Sequence, residues 1–418
     1  MNKDQSTRVR NAEIITIGDE IITGAILDTN AAFIGRYLFN RGYQIGRIVS
    51  VGDDPPAIKS AVRVSMKKAD LVVVTGGLGP THDDITKKTL CELFRCKTRF
   101  DEKVLKMLER RFKRMERKMP EVSRQYAFIP TAAVPVENPI GIAPGLLFEK
   151  KVLVMPGVPV EMENMLRMKA EKLIPHGGRH MRERILHADR ISEPNLMAKL
   201  SGLEEAMKTT KIAFLPKCGR VDIRLTAHGK TAKEAAAKLE SATKLLRRDI
   251  EENVWGVDDD TMERLIGDFL RLRKRNETLA VAESCSGGGI GQLITSVPGS
   301  SNYFLGGLIV YSNEVKIKQL GVPKAIIEKH GAVSRETAIA MAECVKRKFG
   351  ADYGLSATGI SGPGGGTKDK PVGLTFVALS GHGVNSCRRL LFHHDRRINR
   401  ERTAFEALHL LLERLRAH

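Results

Sequence analysis

The sequence predicts an α/β protein: an N-terminal parallel-sheet domain and a C-terminal α/β domain, joined by a small α+β module. Three observations carry that expectation. Apolar runs of strand length alternate with helix-length periodic stretches near both ends of the chain, the pattern of βα units stacked into a sheet with helices on its faces. Glycine-rich polar segments follow the apolar runs, where open parallel sheets place their ligands. At 418 residues the chain exceeds one ordinary domain.

The elements follow in order. "AEIITIG" (12–18) reads as a strand and "NAAFIGRYLFNRG" (30–42) as a helix ending at Gly42. "YQIGRIVSVG" is a second strand, and "PAIKSAVRVSMKKA" a second helix with proline near its start. "DLVVVTGG" is continuously apolar, as a buried parallel strand must be. "KKVLVMPG" (150–157) and "VEMENMLRMKAEKL" complete this domain, taken as 11–175. Between 180 and 255 lie the short strands "ERILHADR", "IAFLPKCG" and "VDIRLTAHG", with one strong helix, "TAKEAAAKLESATKLLRRDIEEN". The third domain, 257–418, opens on the helix "TMERLIGDFLRLRKRN". The strands "TLAVAES" and "FLGGLIVYS", the helix "SRETAIAMAECVKRKFG" and the strands "DYGLSATGISG" and "VGLTFVALSG" follow.

Composition narrows the class. Hydrophobic residues at 42% and charged residues at 28% are the balance of a soluble globular chain. No run reaches membrane-spanning length, and "MNKDQSTRVRN" has no apolar core of a secretory signal. The cysteines at 91, 96, 218, 285, 344 and 387 form no CxxC pair, so neither a zinc site nor a disulfide framework is expected, and a reducing cytoplasm is the natural home. The net charge of +19 invites a nucleic-acid reading. Its densest stretch, "KVLKMLERRFKRMERK" (103–118), instead places Leu105, Leu108 and Phe112 at helical spacing, an amphipathic helix with a solvated basic face. Aromatic residues, 5%, offer few platforms for stacking bases.

In the first domain, three polar clusters sit at strand ends: "GDEIITGAILDTN" (18–30), "TGGLGPTHDDIT" (75–86) and "MPGVPVEM" (155–162). Gly18, Gly76, Gly77, Gly79 and Gly157, with Pro156, let a backbone approach a phosphate, and Asp28, Asn30 and Thr81 supply polar contacts. Asp19, Glu20, Asp83, Asp84 and Glu161 are hard-oxygen ligands suited to a divalent ion bridging phosphates. Helix capping by Asp28, and by Asp83 or Asp84, explains single acids equally well.

In the third domain, "AVAESCSGGGIGQLI" (280–294) puts Ser284, Cys285 and Ser286 at the mouth of a glycine-rich turn. It suits a nucleophile, a phosphate cradle or a tight turn alone. A serine nucleophile needs a base. "YSNEVK" offers Tyr311 and Lys316 at another strand-to-helix junction, and a desolvated lysine serves as base to a serine. The amides of the 284–289 turn are the expected oxyanion donors. "SATGISGPGGGTKDKPVG" (356–373) is a third glycine-rich loop, fit to wrap a phosphate. Cys285 reads as a small buried residue, and His393 and His394 as surface or substrate contacts rather than metal ligands.

Together, "GDEIITGAILDTN", "TGGLGPTHDDIT", "NPIGIAPG", "MPGVPVEM", "AESCSGGG", "VPGSSNYFLGGLIVYSNEVK" and "ATGISGPGGGTKDKPVG" resemble the two-domain CinA family (competence/damage-inducible protein A) over nearly the whole chain. The resemblance implies an N-terminal molybdopterin-binding-like domain with metal-dependent ADP-ribose pyrophosphatase activity. Its cofactor would be magnesium, manganese or cobalt, with room for potassium. It implies a KH-like linker, a likeness of topology that carries no RNA binding. It implies a C-terminal nicotinamide-nucleotide amidohydrolase that converts nicotinamide mononucleotide to nicotinic acid mononucleotide and ammonia, without a cofactor. A cytoplasmic homodimer with no membrane or nucleic-acid partner follows from it.

By position, the family's nucleophile falls on Ser284, its lysine on Lys316 and its tyrosine on Tyr311. The substrate contacts fall on Cys285, Ser286, Gly287, Gly288, Thr358, Gly359, Gly364 and Gly365, and on Arg396 and Arg400 of "HDRRINR". His394 stands where the family has glycine, and "SCSGG" where it has "SCTGG". Two alternatives remain: an N-terminal domain that only binds a pterin or nucleotide, and a DNA-associated competence factor.

Overall fold

The computed structural model describes residues 9–79, 85–217, 219–272 and 277–417. Thr81, Asp83 and Asp84 lie outside the described residues. The chain forms two compact units, Met1–Glu183 with Thr226–Ser241, and Arg184–Leu225 with Ala242–His418. The sequence reading expected three domains. Within the segment 180–255, Thr226–Ser241 belongs to the first unit, and Arg184–Leu225 with the residues from Ala242 onward to the second.

The first unit runs β1 (Asn11–Ile17), α1 (Asp19–Ile22), α2 (Thr29–Asn40), β2 (Gln44–Val51), α3 (Pro55–Lys68), β3 (Leu71–Thr75) and α4 (Thr86–Leu93). It continues with β4 (Thr98–Phe100), α5 (Glu102–Arg114), β5 (Phe128–Pro130), β6 (Ala133–Val136), β7 (Gly145–Phe148), β8 (Val152–Met155) and α6 (Pro159–Met168). The main sheet has the order β2-β1-β3-β8-β7-β6. β2, β1, β3 and β8 are parallel, β7 runs antiparallel to β8, and β6 antiparallel to β7. Every residue of β3 and β8 is buried, as strands covered on both faces require. Asp28, Asp54 and Asp101 start α2, α3 and α5 by accepting first-turn amides. α5 buries Val104, Leu105, Leu108 and Phe112 and leaves Lys103, Lys106, Arg110, Lys113 and Arg114 exposed. That basic stretch is an amphipathic helix.

The shared segment holds β9 (His180–Asp189), α7 (Glu193–Lys199), α8 (Leu203–Met207), β10 (Thr210–Lys217), β11 (Arg220–Gly229), α9 (Ala232–Ile250) and β12 (Val254–Val257). Its strands form a sheet in the order β10-β11-β9-β12.

The rest of the second unit begins with α10 (Met262–Leu272), β13 (Leu279–Glu283), α11 (Gly289–Thr295) and β14 (Phe304–Ile309). α12 (Asn313–Val315) then continues into a π-turn over Lys316–Leu320. α13 (Lys324–His330), α14 (Arg335–Phe349), β15 (Tyr353–Gly359), β16 (Leu374–Gly381), β17 (Val384–Leu391) and α15 (Arg396–Arg416) complete it. The sheet order is β14-β13-β15-β16-β17. β13 lies centrally between parallel partners, and its residues alternate between two cores. Leu279 and Val281 join α10, α11 and α15, whereas Ala280 and Ala282 join α14. β16 and β17 are antiparallel. A two-residue loop joins them, His382 (φ 47) and Gly383 (φ 76), and its positive φ values match a tight hairpin. The sequence reading missed both β17 and α15. No described helix is long and apolar enough to cross a membrane.

Where β3 ends, Gly76 has φ +116, and a Cβ there would lie 2.1 Å from the Ile17 carbonyl oxygen. Gly76→Ala is therefore expected to destabilise the first unit by about 2 kcal/mol or more. A lower urea midpoint for that unit's transition, with the second unit's unchanged, is the check.

Candidate active site

Ser284 follows the last residue of β13, and its amide donates to the Ala357 carbonyl of β15. Lys316 follows α12, which begins shortly after β14 ends at Ile309. The parallel pairing of β13 with β14 continues in the bond from the Val310 amide to the Glu283 carbonyl (2.7 Å). That pairing carries the two junctions side by side. Lys316 Nζ lies 3.0 Å from Ser284 Oγ. Nζ also lies 2.9 Å from the Val310 carbonyl oxygen and 3.0 Å from that of Tyr311. Lys316 is 1% exposed and Ser284 7% exposed. Burial pushes the Lys316 ammonium below the usual lysine range.

Tyr311 contributes its carbonyl to this arrangement. Its ring is 62% exposed, and its hydroxyl accepts from Arg396 Nη2 at 3.0 Å. Arg396 also donates to the Gly362 carbonyl (2.8 Å), so it links Tyr311 to the 360–373 loop. Arg400 donates through Nε and Nη2 to the Ser286 carbonyl, and a Cβ on Gly287 would lie 2.8 Å from Arg400 Nη2. Asn399, between them and fully buried, donates to the Ser361 carbonyl. The first turn of α15 thus braces the turn after Ser284 and its facing loop. The sequence reading gave Arg396 and Arg400 to substrate and did not single out Asn399.

The other expected substrate contacts separate into two groups. The Ser286 hydroxyl donates to Glu283, and the Thr358 hydroxyl to the Ala332 carbonyl (2.8 Å), so both are already committed within the protein. Cys285 is buried, and that burial pushes its thiol up to about 12. Gly359 is closed in by Thr375 and the Leu374 carbonyl. Gly364 has open space beside it, and Gly365 (φ +84) and Gly288 (φ +96) take left-handed turns. The expectation that the 284–289 amides generally hold an oxyanion needs correction. The Gly287 and Gly289 amides bond to carbonyls within the turn, and the Gly288 amide bonds to the Glu283 carboxylate. Glu283 was not singled out, because a glutamate closing an apolar run has no distinguishing sequence pattern.

In the first unit, the ends of β1, β3 and β8 converge. A Cβ on Gly157 would lie 3.4 Å from Gly76 Cα, and one on Gly77 would lie 2.3 Å from Thr86 Oγ1. Asn30 Nδ2 donates to Thr75 Oγ1 (3.2 Å) and to the Gly157 carbonyl (2.7 Å). Its buried Oδ1 has no partner among the described residues. The Pro156 carbonyl accepts from Thr75, the Gly18 amide donates to the Val51 carbonyl, and Gly79 is half-buried. Asp28 caps α2 through the Ala31 amide and accepts from Thr16 Oγ1, so the capping reading holds for it.

Of the expected metal ligands, Asp83 and Asp84 lie outside the described residues, and Asp19, Glu20 and Glu161 have separate surroundings. Asp19 exchanges hydrogen bonds with Asp53, each side chain accepting the other's amide. Glu161 accepts from Asn138 Nδ2 at 2.7 Å, and Glu20 is exposed. Among the described residues, no three His, Cys, Asp or Glu side chains gather to hold an ion.

Fold and site together define an α/β protein with a buried serine–lysine pair at neighbouring strand-to-helix junctions. Three family models follow one another along most of the chain: "Probable molybdopterin binding domain" over 13–176, "Damage-inducible protein CinA KH domain" over 183–256 and "CinA C-terminal domain" over 259–415. A CinA-like protein of Gemmatimonas aurantiaca is 40% identical over 414 residues, covering 97% of this chain and 95% of its own. A CinA-like protein of Cytophaga hutchinsonii is 37% identical over 411 residues, covering 97% and 98%. The crystal structure of CinA from Thermoplasma acidophilum is 42% identical over 40% of this chain and all of its own, with a TM-score of 0.37. The chain belongs to the CinA family of competence/damage-inducible proteins.

Because its thiol is both buried and held protonated, Cys285 is expected to resist iodoacetamide at pH 8 in the folded protein and to react after denaturation. Peptide mass spectrometry reads both states.

Proposed function

We propose that the second unit is an amidase that hydrolyses the carboxamide of nicotinamide mononucleotide by way of a Ser284 acyl-enzyme. The observation that carries this reading is the setting of Lys316 Nζ. A neutral amine has two N–H donors and one lone pair. The Val310 and Tyr311 carbonyls accept the two N–H bonds, which turns the lone pair toward Ser284 Oγ at 3.0 Å. Burial favours that neutral form.

The chemistry then balances. Ser284 Oγ bonds to the carboxamide carbon as its proton passes to Lys316 Nζ. The carbonyl oxygen becomes an oxyanion held by backbone N–H groups. The C–N bond breaks, and the Lys316 ammonium returns its proton to the leaving nitrogen, giving ammonia. Water then attacks the acyl carbon, giving its proton to Lys316. The C–Oγ bond breaks, and Ser284 recovers the proton. The choice of nicotinamide mononucleotide rests on the family motifs. Arg396, exposed beside Tyr311 at the mouth of the site, supports a phosphate-bearing substrate.

Ammonia release from nicotinamide mononucleotide, with EDTA present, tests this. Ser284→Ala and Lys316→Met are each expected to lower kcat by about 10³-fold or more. Folded wild-type protein that releases no ammonia overturns the reading. The lysine must be deprotonated to act as base. The rate of acylation is therefore expected to rise with pH through a midpoint below the usual lysine range, and a flat profile between pH 6 and 9 speaks against a lysine base.

A second site is supported by Asn30, whose Oδ1 has no partner where the ends of β3 and β8 meet. We propose that this site binds a nucleotide diphosphate of the ADP-ribose type. A bound divalent ion would polarise its phosphoryl oxygens. Asp19, Glu20 and Glu161 do not fit a cage for one, so nucleotide binding is what the described residues support. Asn30→Ala is expected to weaken ADP-ribose binding about tenfold in calorimetry. Unchanged affinity overturns the assignment.

A further inference from the structure

Glu283 is the last residue of β13, immediately before Ser284, and is 2% exposed. A carboxylate so deeply buried survives only where donors replace its water. Four do so, two from the turn that follows and two from the first residues of α11. Oε2 accepts from Ser286 Oγ (2.7 Å), the Gly288 amide (2.9 Å) and the Ile290 amide (3.1 Å), and Oε1 from the Gly291 amide (2.8 Å). The amino-terminal end of α11 is therefore filled by the chain's own anion. The remaining amides are sorted. Ser284 donates to Ala357, Gly287 to Ser284, and Gly289 to Ser286. None of these bonds uses the amides of Cys285 and Ser286, the two that directly follow the nucleophile. That is the place from which acyl-transfer turns stabilise an oxyanion.

We propose that Glu283 is the positioning residue of the nucleophile turn, its carboxylate drawing in four donors so that the Cys285 and Ser286 amides alone face the developing oxyanion. This rests on the reading of Ser284 as nucleophile and assigns to Glu283 a role that touches no substrate. Glutamine keeps the shape but turns an amino group toward N–H donors, so Glu283→Gln disturbs the sorting with little change in volume.

Two readouts test it on the full chain. One is ammonia release from nicotinamide mononucleotide. The other is phosphonylation of Ser284 by an organophosphorus fluoride, which forms an Oγ–P bond, expels fluoride and passes the hydroxyl proton to Lys316. It probes nucleophile and oxyanion donors without the natural substrate. Glu283→Gln is expected to slow labelling and kcat by about 100-fold with KM nearly unchanged, and Ser286→Ala, which removes one donor, to slow both several-fold. A merely structural carboxylate predicts a lower melting temperature but labelling at the wild-type rate in the folded fraction, and that result overturns the proposal. Should Glu283→Gln fail to fold, unchanged labelling in Ser286→Ala overturns it instead. Wild-type protein labelled at Ser284 but releasing no ammonia sinks the substrate assignment and leaves the role of Glu283 to the labelling rates. Wild-type protein that does not label overturns both.

Discussion

A lysine amine removed from water must find other partners, and much of the second unit is arranged to supply them. Lys316 is buried at the start of a π-turn whose Lys318 and Gln319 are exposed. Its acceptors come from the backbone just past β14, and its remaining partner, Ser284, from just past β13. Burial lowers the pKa of an ammonium at such a position, so the fold biases the group toward its neutral form. The constraint reaches outward. Holding β13 and β14 in register requires parallel neighbours on both sides of β13, and these require helices over both faces of the sheet.

The open side of the site is closed by α15. Arg396, Asn399 and Arg400 lie at i, i+3 and i+4, on one face of the helix. They take hold of Gly362, Ser361 and Ser286, three carbonyls from two separate loops. The far end of the same helix is anchored by Leu408, Leu411, Leu412 and Leu415 in the apolar core. Packing energy gained well away from the chemistry thus fixes loops that have little apolar surface of their own. Such loops are ordered only when something outside them meets their conformational entropy.

Much of this was legible in the sequence, and the exceptions share a cause. The α/β class and the strand ends follow from apolar periodicity and glycines, and the pairing of Ser284 with Lys316 from the family resemblance. Direction is what the sequence conceals. Tyr311 sits where expected, yet its hydroxyl turns to Arg396 and its carbonyl to Lys316. Thr358 and Ser286 carry the expected hydroxyls, spent on Ala332 and Glu283. Asp19 and Glu161 stand near strand ends, but each meets a local partner first, Asp53 and Asn138. The hairpin of β16 and β17 was hidden because His382 and Gly383 do not look like a turn until both φ values are positive.

The carboxylate of Glu283 also bears on what the protein ignores. A helix start flanked by glycines ordinarily attracts any small anion in its surroundings. Here the guest is tethered one residue before the turn, at an effective concentration far above that of free phosphate. Any other small anion therefore finds the helix start beside Ser284 already taken. Negative charge on a molecule approaching Ser284 must instead be met on the outer rim, where Arg396 and Arg400 are exposed.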